Sequence, residues 1–288
     1  MQPIIVIGMH RSGTSLVTSV LEKMGVFMGN DLDNNNESEH FNRLNNWIIF
    51  QAGATWDNPY NFNFITDDFV EKVTKNLEKH LIGYKNYDYL GDVRKVHKYK
   101  SLKGIDFQWG WKDPINTFTI EIWKKLFPDA KIVHVYRNPV DVALSLQARE
   151  KGHLKIYNTK TRTGVKKYFN ERTLWKKRIY YHSIRVLNLQ EGIKLWEQYV
   201  GKALSLASSS DFLNVCYEDF LLEPEKQIDK LSNFVGAGIL REKSKEITKT
   251  INSSRRFAFV DNADHIKIYE GIKDKPLLQQ LGYDKIIL

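Results

Sequence analysis

Ile4-Ile5-Val6-Ile7-Gly8-Met9-His10-Arg11-Ser12-Gly13-Thr14-Ser15 decides how this chain is read. The first four residues are an apolar, β-branched run bounded by Pro3 and Gly8, the pattern of a strand buried on both faces. After the glycine-punctuated turn, Leu16, Val17, Val20, Leu21 and Met24 recur at helical spacing, and Gly25 ends the pattern. Strand, loop and helix in that order form a phosphate cradle, because backbone N–H groups and a helix N-terminus converge on one point.

Gly8 and Gly13 have the separation found in the Walker A loop, but Thr14 stands where that loop carries lysine. An ordinary P-loop nucleotidase also needs a carboxylate after a second strand to hold Mg²⁺. A second buried-strand pattern, Lys131-Ile132-Val133-His134-Val135-Tyr136, ends instead in Arg137. Arg11, Lys112 and Arg137 therefore stand in for lysine plus metal, and the site is expected to take an anionic nucleotide without a metal ion. No His, Cys or Asp cluster has metal-ligand spacing.

Outward from this unit, strand patterns (4–7, 107–111, 131–136, 212–217) alternate with helical ones (69–81, 120–126, a stretch from about 165 to 206, 224–235 and 241–251). Residues 83–106 carry no clear period. The expected fold is α/β, P-loop NTPase-like, with a central, mostly parallel sheet flanked by helices in three layers. Ligands in such sheets sit at the carboxyl ends of the strands, where residues 8–15, Lys112-Asp113 and Arg137 should converge. With 288 residues, 42% of them apolar, and no Pro/Gly/Ser-rich linker, a single domain over 1–288 is expected.

Cys216 is the one cysteine, so no internal disulfide can form; in its strand setting it reads as an inert thiol. His134 reads as a core histidine, and His10 as a residue that shapes the phosphate loop. No apolar run approaches the 18 residues of a membrane span and no signal-peptide pattern opens the chain, so a cytoplasmic location with at most peripheral membrane contact is expected. The formal net charge is +9. Residues 151–185 hold eleven Lys and Arg against the single acid Glu171, which accounts for the whole excess. That window, with Tyr157, Tyr168, Phe169, Trp175, Tyr180 and Tyr181, reads either as a solvated helical face or as a basic lid over an anionic partner, within a helical segment 151–207.

Two motifs resemble those of the sulfotransferases that use 3′-phosphoadenosine 5′-phosphosulfate. The 5′-phosphosulfate loop of that family follows the first strand with a basic residue and Ser-Gly-Thr-Ser/Thr, as Arg11-Ser12-Gly13-Thr14-Ser15 does here. Its 3′-phosphate motif, Arg-Asn-Pro followed by Asp-Val and a serine, is similar to Arg137-Asn138-Pro139-Val140-Asp141-Val142-Ala143-Leu144-Ser145. Ser145 lies about two helical turns beyond Arg137, so both can face one phosphate, and a forked guanidinium suits its oxygens. Trp111-Lys112-Asp113-Pro114 resembles the Lys-Asp-Pro of bacterial and Golgi-type, carbohydrate-directed members, with Ile115 where they carry arginine. Tyr217-Glu218-Asp219-Phe220 is similar to a family segment read as mostly structural, and Ser254-Arg255-Arg256 to a C-terminal pair near the 3′-phosphate.

The resemblance implies a sulfotransferase with 3′-phosphoadenosine 5′-phosphosulfate as donor, no metal, and a hydroxylated acceptor such as a glycan, glycolipid or small metabolite. Donor binding falls to Arg11, Ser12, Gly13, Thr14, Ser15, Arg137, Ser145, Arg255 and Arg256. Catalysis falls to Arg11, Lys112 and a general base. Carbohydrate-directed members place a glutamate after the first helix; registering on Leu44-Asn45 and Gly53-Ala54-Thr55-Trp56 puts Glu37 there, with Asn36 where an aromatic residue usually precedes it. Glu39 and His40 are the alternatives. Two other readings compete: a P-loop kinase using ATP and Mg²⁺, and a non-catalytic polyanion or nucleic-acid binder using the basic window, although the motifs imply no specific nucleic-acid partner.

Overall fold

β1 (Ile4–Ile7) is buried along its whole length and lies inside a four-stranded, all-parallel sheet of order β2-β1-β3-β4, with β2 at Gly110–Lys112, β3 at Lys131–Tyr136 and β4 at Phe212–Cys216. The computed structural model describes residues 1–159, 182–207, 210–238 and 241–286. Ile5 pairs with Trp111 on one side and Ile132 on the other, and His134 of β3 pairs with Asn214 of β4. Side chains alternate across a strand, so Ile5 and Ile7 enter one apolar layer while Ile4 and Val6 enter the other. Both faces must then be covered, and helices cover them.

The helices follow in chain order. α1 (Thr14–Lys23), α2 (Glu39–Gln51) and α3 (Asp67–Glu78) precede two short helices, α4 (Tyr87–Leu90) and α5 (Val93–Lys98). After β2 and β3 respectively come α6 (Asn116–Leu126) and α7 (Pro139–Thr159), and then α8 (Leu189–Ser205). α9 (Tyr217–Leu222), α10 (Pro224–Val235), α11 (Arg241–Thr250), α12 (Ala263–Glu270) and α13 (Pro276–Gln280) follow β4. One face of the sheet packs on α1 through Val17, Val20 and Leu21 and on α10 through Ile228 and Leu231. The other packs on α6, α7 and α8 through Trp123, Leu146 and Trp196. This is the expected three-layer α/β arrangement.

Several boundaries differ from the sequence pattern for identifiable reasons. The second strand is Gly110–Lys112 rather than 107–111, because Phe27 pairs with Trp109 and diverts the chain before it joins β1. Gly110 is required there: a Cβ would stand 1.9 Å from the Ile4 carbonyl oxygen. Residues 83–106 form α4, α5 and 3₁₀ turns that bury Tyr89, Leu90, Val96 and Leu102. The expected helix from about 165 to 206 is represented by α8 alone among the described residues. Asn188 caps it, its side chain accepting from the N–H of Gln190 at 2.9 Å and of Glu191 at 3.3 Å. Most of the basic window, and all of Tyr168, Phe169, Trp175, Tyr180 and Tyr181, lie outside the described residues; of Tyr157 only its place in α7 is described.

β3 leads into α7 as the sequence implies, with Pro139 opening the helix. β4 ends at Cys216, so Tyr217 leaves the strand and opens α9. Lys112, Arg137 and Tyr217 therefore all stand at carboxyl ends of strands of the one sheet, around the 8–15 loop. The strand order reverses between β1 and β3, the position where open parallel sheets leave a crevice.

Candidate active site

A cavity of about 580 Å³ opens at that crevice, within the range that holds a nucleotide-sized ligand. Its floor is the 8–15 loop. Gly8 has φ 139°, and a Cβ there would lie 2.2 Å from the Val135 carbonyl oxygen; Gly13 has φ 97°, and its Cβ would lie 2.2 Å from the Tyr217 ring. Only glycine allows the loop to pass this close to β3 and α9. Arg11 also holds a left-handed backbone, φ 72°, a strained conformation of the kind that concentrates at functional sites. Thr14 and Ser15 are the first residues of α1, so their N–H groups have no partner inside the helix and face an anion-favouring terminus.

Ser12 takes a different part from its neighbours. It is buried, its Oγ lies 2.6 Å from the Met9 carbonyl oxygen and 3.0 Å from that of Val135, and it does not line the cavity. Its work is to pin the loop to β3. His10 does line the cavity; its ring meets Trp56 edge-on at 4.8 Å. Burial, reinforced by Arg149, Lys112 and Arg11, holds its pKa well below the usual histidine value, so the ring is neutral.

The two motifs of the sequence meet directly, since Arg11 Nε donates to Ser145 Oγ at 2.9 Å. Arg137 is nearly buried. Its Nη2 donates to the Arg255 carbonyl at 2.9 Å and lies 3.2 Å from Asp141 Oδ2, and its guanidinium sits 4.8 Å from the Tyr217 ring centre. Its Nε is buried with no hydrogen-bond partner among the described residues. Glu218 supports the turn from behind: Oε1 accepts from the Asn138 N–H at 2.9 Å and Oε2 from the Tyr283 hydroxyl at 2.7 Å. Arg255 lines the cavity, but Arg256 does not. Arg256 lies over Phe257 at 4.9 Å and lines a separate recess by Tyr283, so the structure brings only the first arginine of the pair to the site.

At the opposite end stands Glu37. Asp33 Oδ1 accepts from the Glu37 N–H at 2.8 Å and from that of Asn35 at 2.8 Å, which folds residues 33–37 into a tight loop. Asn36 takes a left-handed φ of 59°, tolerated by asparagine, and its Nδ2 donates to the Ser15 carbonyl at 3.3 Å. An asparagine thus occupies the position before Glu37 because that position must tie the loop to α1. Lys112, almost wholly buried, donates to the Asn35 carbonyl at 2.6 Å and to Glu37 Oε1 at 3.0 Å. Burial raises the Glu37 pKa, and the Lys112 charge opposes that rise.

Beneath the pair, Asp113 accepts from Asn45 Nδ2 at 2.9 Å and the Ile115 N–H at 2.9 Å. Burial, then the Glu37 charge, pushes its carboxyl up to about 7. Ile115 is in the core. Glu39 points outward beside Arg43 at 4.0 Å, more than half exposed. His40 packs between Phe41 and Tyr89, away from the cavity, its pKa lowered to about 4 by burial. Of the three carboxylate and histidine candidates, Glu37 alone lines the cavity.

Sequence reasoning did not find Tyr217, Trp56, Asn35 or Arg149 among the lining residues. Tyr217 was findable by the same end-of-strand rule that found Lys112 and Arg137. Arg149 was findable by helical spacing, four residues beyond Ser145. Nothing local marks Trp56 or Asn35. Cys216 is half-buried, and burial with the Glu218 charge pushes its thiol up to about 12, consistent with an inert group. His134 is buried, with Nδ1 2.7 Å from Asn214 Oδ1. Among the described residues there is no group of three His, Cys, Asp or Glu able to hold a metal ion, and no helix long and apolar enough to cross a membrane.

Fold and site together define a P-loop-like α/β protein whose strand ends enclose cations, helix N-terminal amides and one lysine-paired carboxylate. A model of the sulfotransferase family matches residues 3–239. The chain therefore belongs to the sulfotransferase family and is an enzyme of that class. No curated protein matches it in sequence. Among solved structures, it is similar in fold to a sulfotransferase domain from the curacin biosynthetic pathway, with 14% identity, 95% of this chain and 98% of that one covered, and a TM-score of 0.50. The sulfotransferase from Alicyclobacillus acidocaldarius matches at 14% identity, covering 98% of this chain and 96% of that one, with a TM-score of 0.48. Mouse sulfotransferase SULT7A1, solved with PAP, matches at 17% identity over 88% of this chain and 65% of that one, with a TM-score of 0.37.

Proposed function

We propose that this sulfotransferase moves a sulfuryl group from 3′-phosphoadenosine 5′-phosphosulfate to a hydroxyl of a carbohydrate, glycolipid or small metabolite, with Glu37 as general base. The observation that carries the reading is the two-ended cavity. Arg137, its buried Nε without a partner among the described residues, stands at one end with Arg255. The Thr14 and Ser15 amides with Arg11 stand between, and the Glu37–Lys112 pair closes the other end. A 3′-phosphate fits the first, a 5′-phosphosulfate the second, and the acceptor hydroxyl the third.

The acceptor oxygen attacks sulfur in line with the bond to the 5′-phosphate. That S–O bond breaks, adenosine 3′,5′-bisphosphate leaves with the electron pair, and the Glu37 carboxylate takes the hydroxyl proton. Lys112, fixed by the Asn35 carbonyl, and Arg11 face charge on the moving group. The chain works as one domain over residues 1–288.

A thermal-shift comparison tests the donor. Adenosine 3′,5′-bisphosphate is expected to stabilise the protein more than ATP with Mg²⁺, and labelled sulfate should move from the donor to a hydroxyl acceptor. Preference for ATP would make this a nucleotide-dependent kinase instead. Polyanion binding that persists unchanged in Arg137→Ala, with no nucleotide preference, would make it a non-catalytic binder.

A further inference from the structure

Arg149 lies one helical turn beyond Ser145 on α7, so the two share a face, and both line the cavity. Its guanidinium is clamped on two sides. The carbon centre lies 5.0 Å over the Trp56 ring, and Nε donates to Glu150 Oε1 at 3.1 Å. Glu150 is itself fixed, its side chain fully buried and its Oε2 accepting from the His182 N–H at 2.9 Å. Arg149 Nη2 lies 3.0 Å from Glu150 Oε1 and, among the described residues, is buried without a hydrogen-bond partner, while the side chain as a whole is 28% exposed, enough for a ligand to reach it.

The other cations of the cavity have assigned work. Arg11 bonds Ser145, Arg137 and Arg255 stand together, and Lys112 is paired with Glu37. Arg149 shares the cavity wall with Glu37 and Trp56, and its charge acts on Glu37, Arg11 and His10 alike. An acceptor whose hydroxyl reaches Glu37 therefore comes within the field of Arg149. A guanidinium already held over an aromatic ring loses little freedom on binding, and its planar fork suits the oxygens of a carboxylate or phosphate.

We propose that Arg149 sets acceptor specificity by holding an oxyanion carried by the same molecule whose hydroxyl is sulfated, so that the enzyme acts on acidic sugars or sugar phosphates rather than neutral ones. The proposal rests on the assignment of Glu37 and the donor made above. It narrows that assignment, because Arg149 covers the Trp56 face that would otherwise serve as a stacking platform for a neutral sugar ring.

The test titrates protein saturated with adenosine 3′,5′-bisphosphate with glucuronate, glucose 6-phosphate and glucose, by calorimetry, in wild type, Arg149→Gln and Arg149→Lys. At least one anion is expected to bind about tenfold or more tighter than glucose, a difference on the scale of one charge-assisted hydrogen bond. Which anion wins separates a carboxylate from a phosphate ester. Arg149→Gln should bring the ratio close to one, and Arg149→Lys should restore part of it. Should Arg149→Gln fail to fold through loss of its bond to Glu150, Arg149→Lys decides alone, because it keeps the charge but not the fork. Equal response to charged and neutral sugars in wild type, no response included, overturns the proposal. So does an equal loss of adenosine 3′,5′-bisphosphate affinity in the variants, which would move Arg149 to the donor. Failure of wild-type protein to bind adenosine 3′,5′-bisphosphate at all would strike the donor assignment itself.

Discussion

The two ends of the cavity are built by different means. At the Arg137 end, the cradle is made of chain segments that leave adjacent parallel strands: the 8–15 loop after β1, Arg137 after β3 and Tyr217 after β4. Much of what it offers an anion is backbone, held by Gly8 and Gly13 where a side chain would collide. At the Glu37 end, the carboxylate comes from the loop between α1 and α2, and the geometry is made by side chains. Lys112 reaches across 75 residues of sequence to Glu37, and Arg149 is positioned by Trp56 and Glu150. A ligand common to a whole class of enzymes suits the first construction, because the sheet itself dictates it. A ligand particular to one enzyme suits the second, because loops change without disturbing the core.

The sharpest break between the two ends comes from Glu37→Gln. It is expected to lower kcat by about 10² to 10⁴-fold, the usual weight of a general base, while adenosine 3′,5′-bisphosphate affinity, read by calorimetry, stays near wild type. Full activity in that variant would dissolve the distinction.

Arg137→Ala should do the opposite. It weakens adenosine 3′,5′-bisphosphate by about 10 to 100-fold, the scale of a charged hydrogen bond to phosphate. Ser145→Ala, removing a neutral hydroxyl, should cost only about 2 to 10-fold. A Ser145 effect larger than the Arg137 effect would mean that Arg11, held by Ser145 at 2.9 Å, carries the 3′-phosphate instead. Because Arg137→Ala leaves Asp141 buried without its cation, a melting curve must accompany the binding measurement.

The smallest effect is a pH shift confined to the Glu37 end. A base works when deprotonated, and burial raises the Glu37 pKa against the opposing Lys112 charge. The acid limb of kcat should therefore rise through a midpoint above the ordinary glutamate value of 4.5. Lys112→Gln removes the opposing charge and should move that limb to still higher pH, while the affinity for adenosine 3′,5′-bisphosphate keeps its own pH profile. A limb that moves down, or not at all, would separate Lys112 from Glu37.

The same contrast governs what was legible beforehand. β1, its loop and α1 were readable because a β-branched run, two glycines and a 3.6-residue period are local signals. Arg137 to Ser145 was readable for the same reason, as a strand end feeding a proline-opened helix. Arg255 and Arg256 looked equivalent side by side, yet successive residues of a turn point to different sides, and only Arg255 faces the cavity. Ser12 looked like its neighbours, but the tight turn directs its hydroxyl into β3. Glu37 was reachable only through the register set by Leu44-Asn45. Asn45 of that pair bonds Asp113, Asn116, Thr119 and Trp123 together beneath the site.

By itself the sequence determined the strand–loop–helix cradle, the parallel sheet and the cationic residues that end its strands, because backbone preference and hydrophobic period act over a few residues. Only the tertiary structure decided that Glu37 rather than Glu39 or His40 meets Lys112, that Tyr217 closes over Gly13, and that Arg149 stands on Trp56. Those contacts join residues far apart in the chain, and their geometry exists only once the two apolar layers of the sheet have packed.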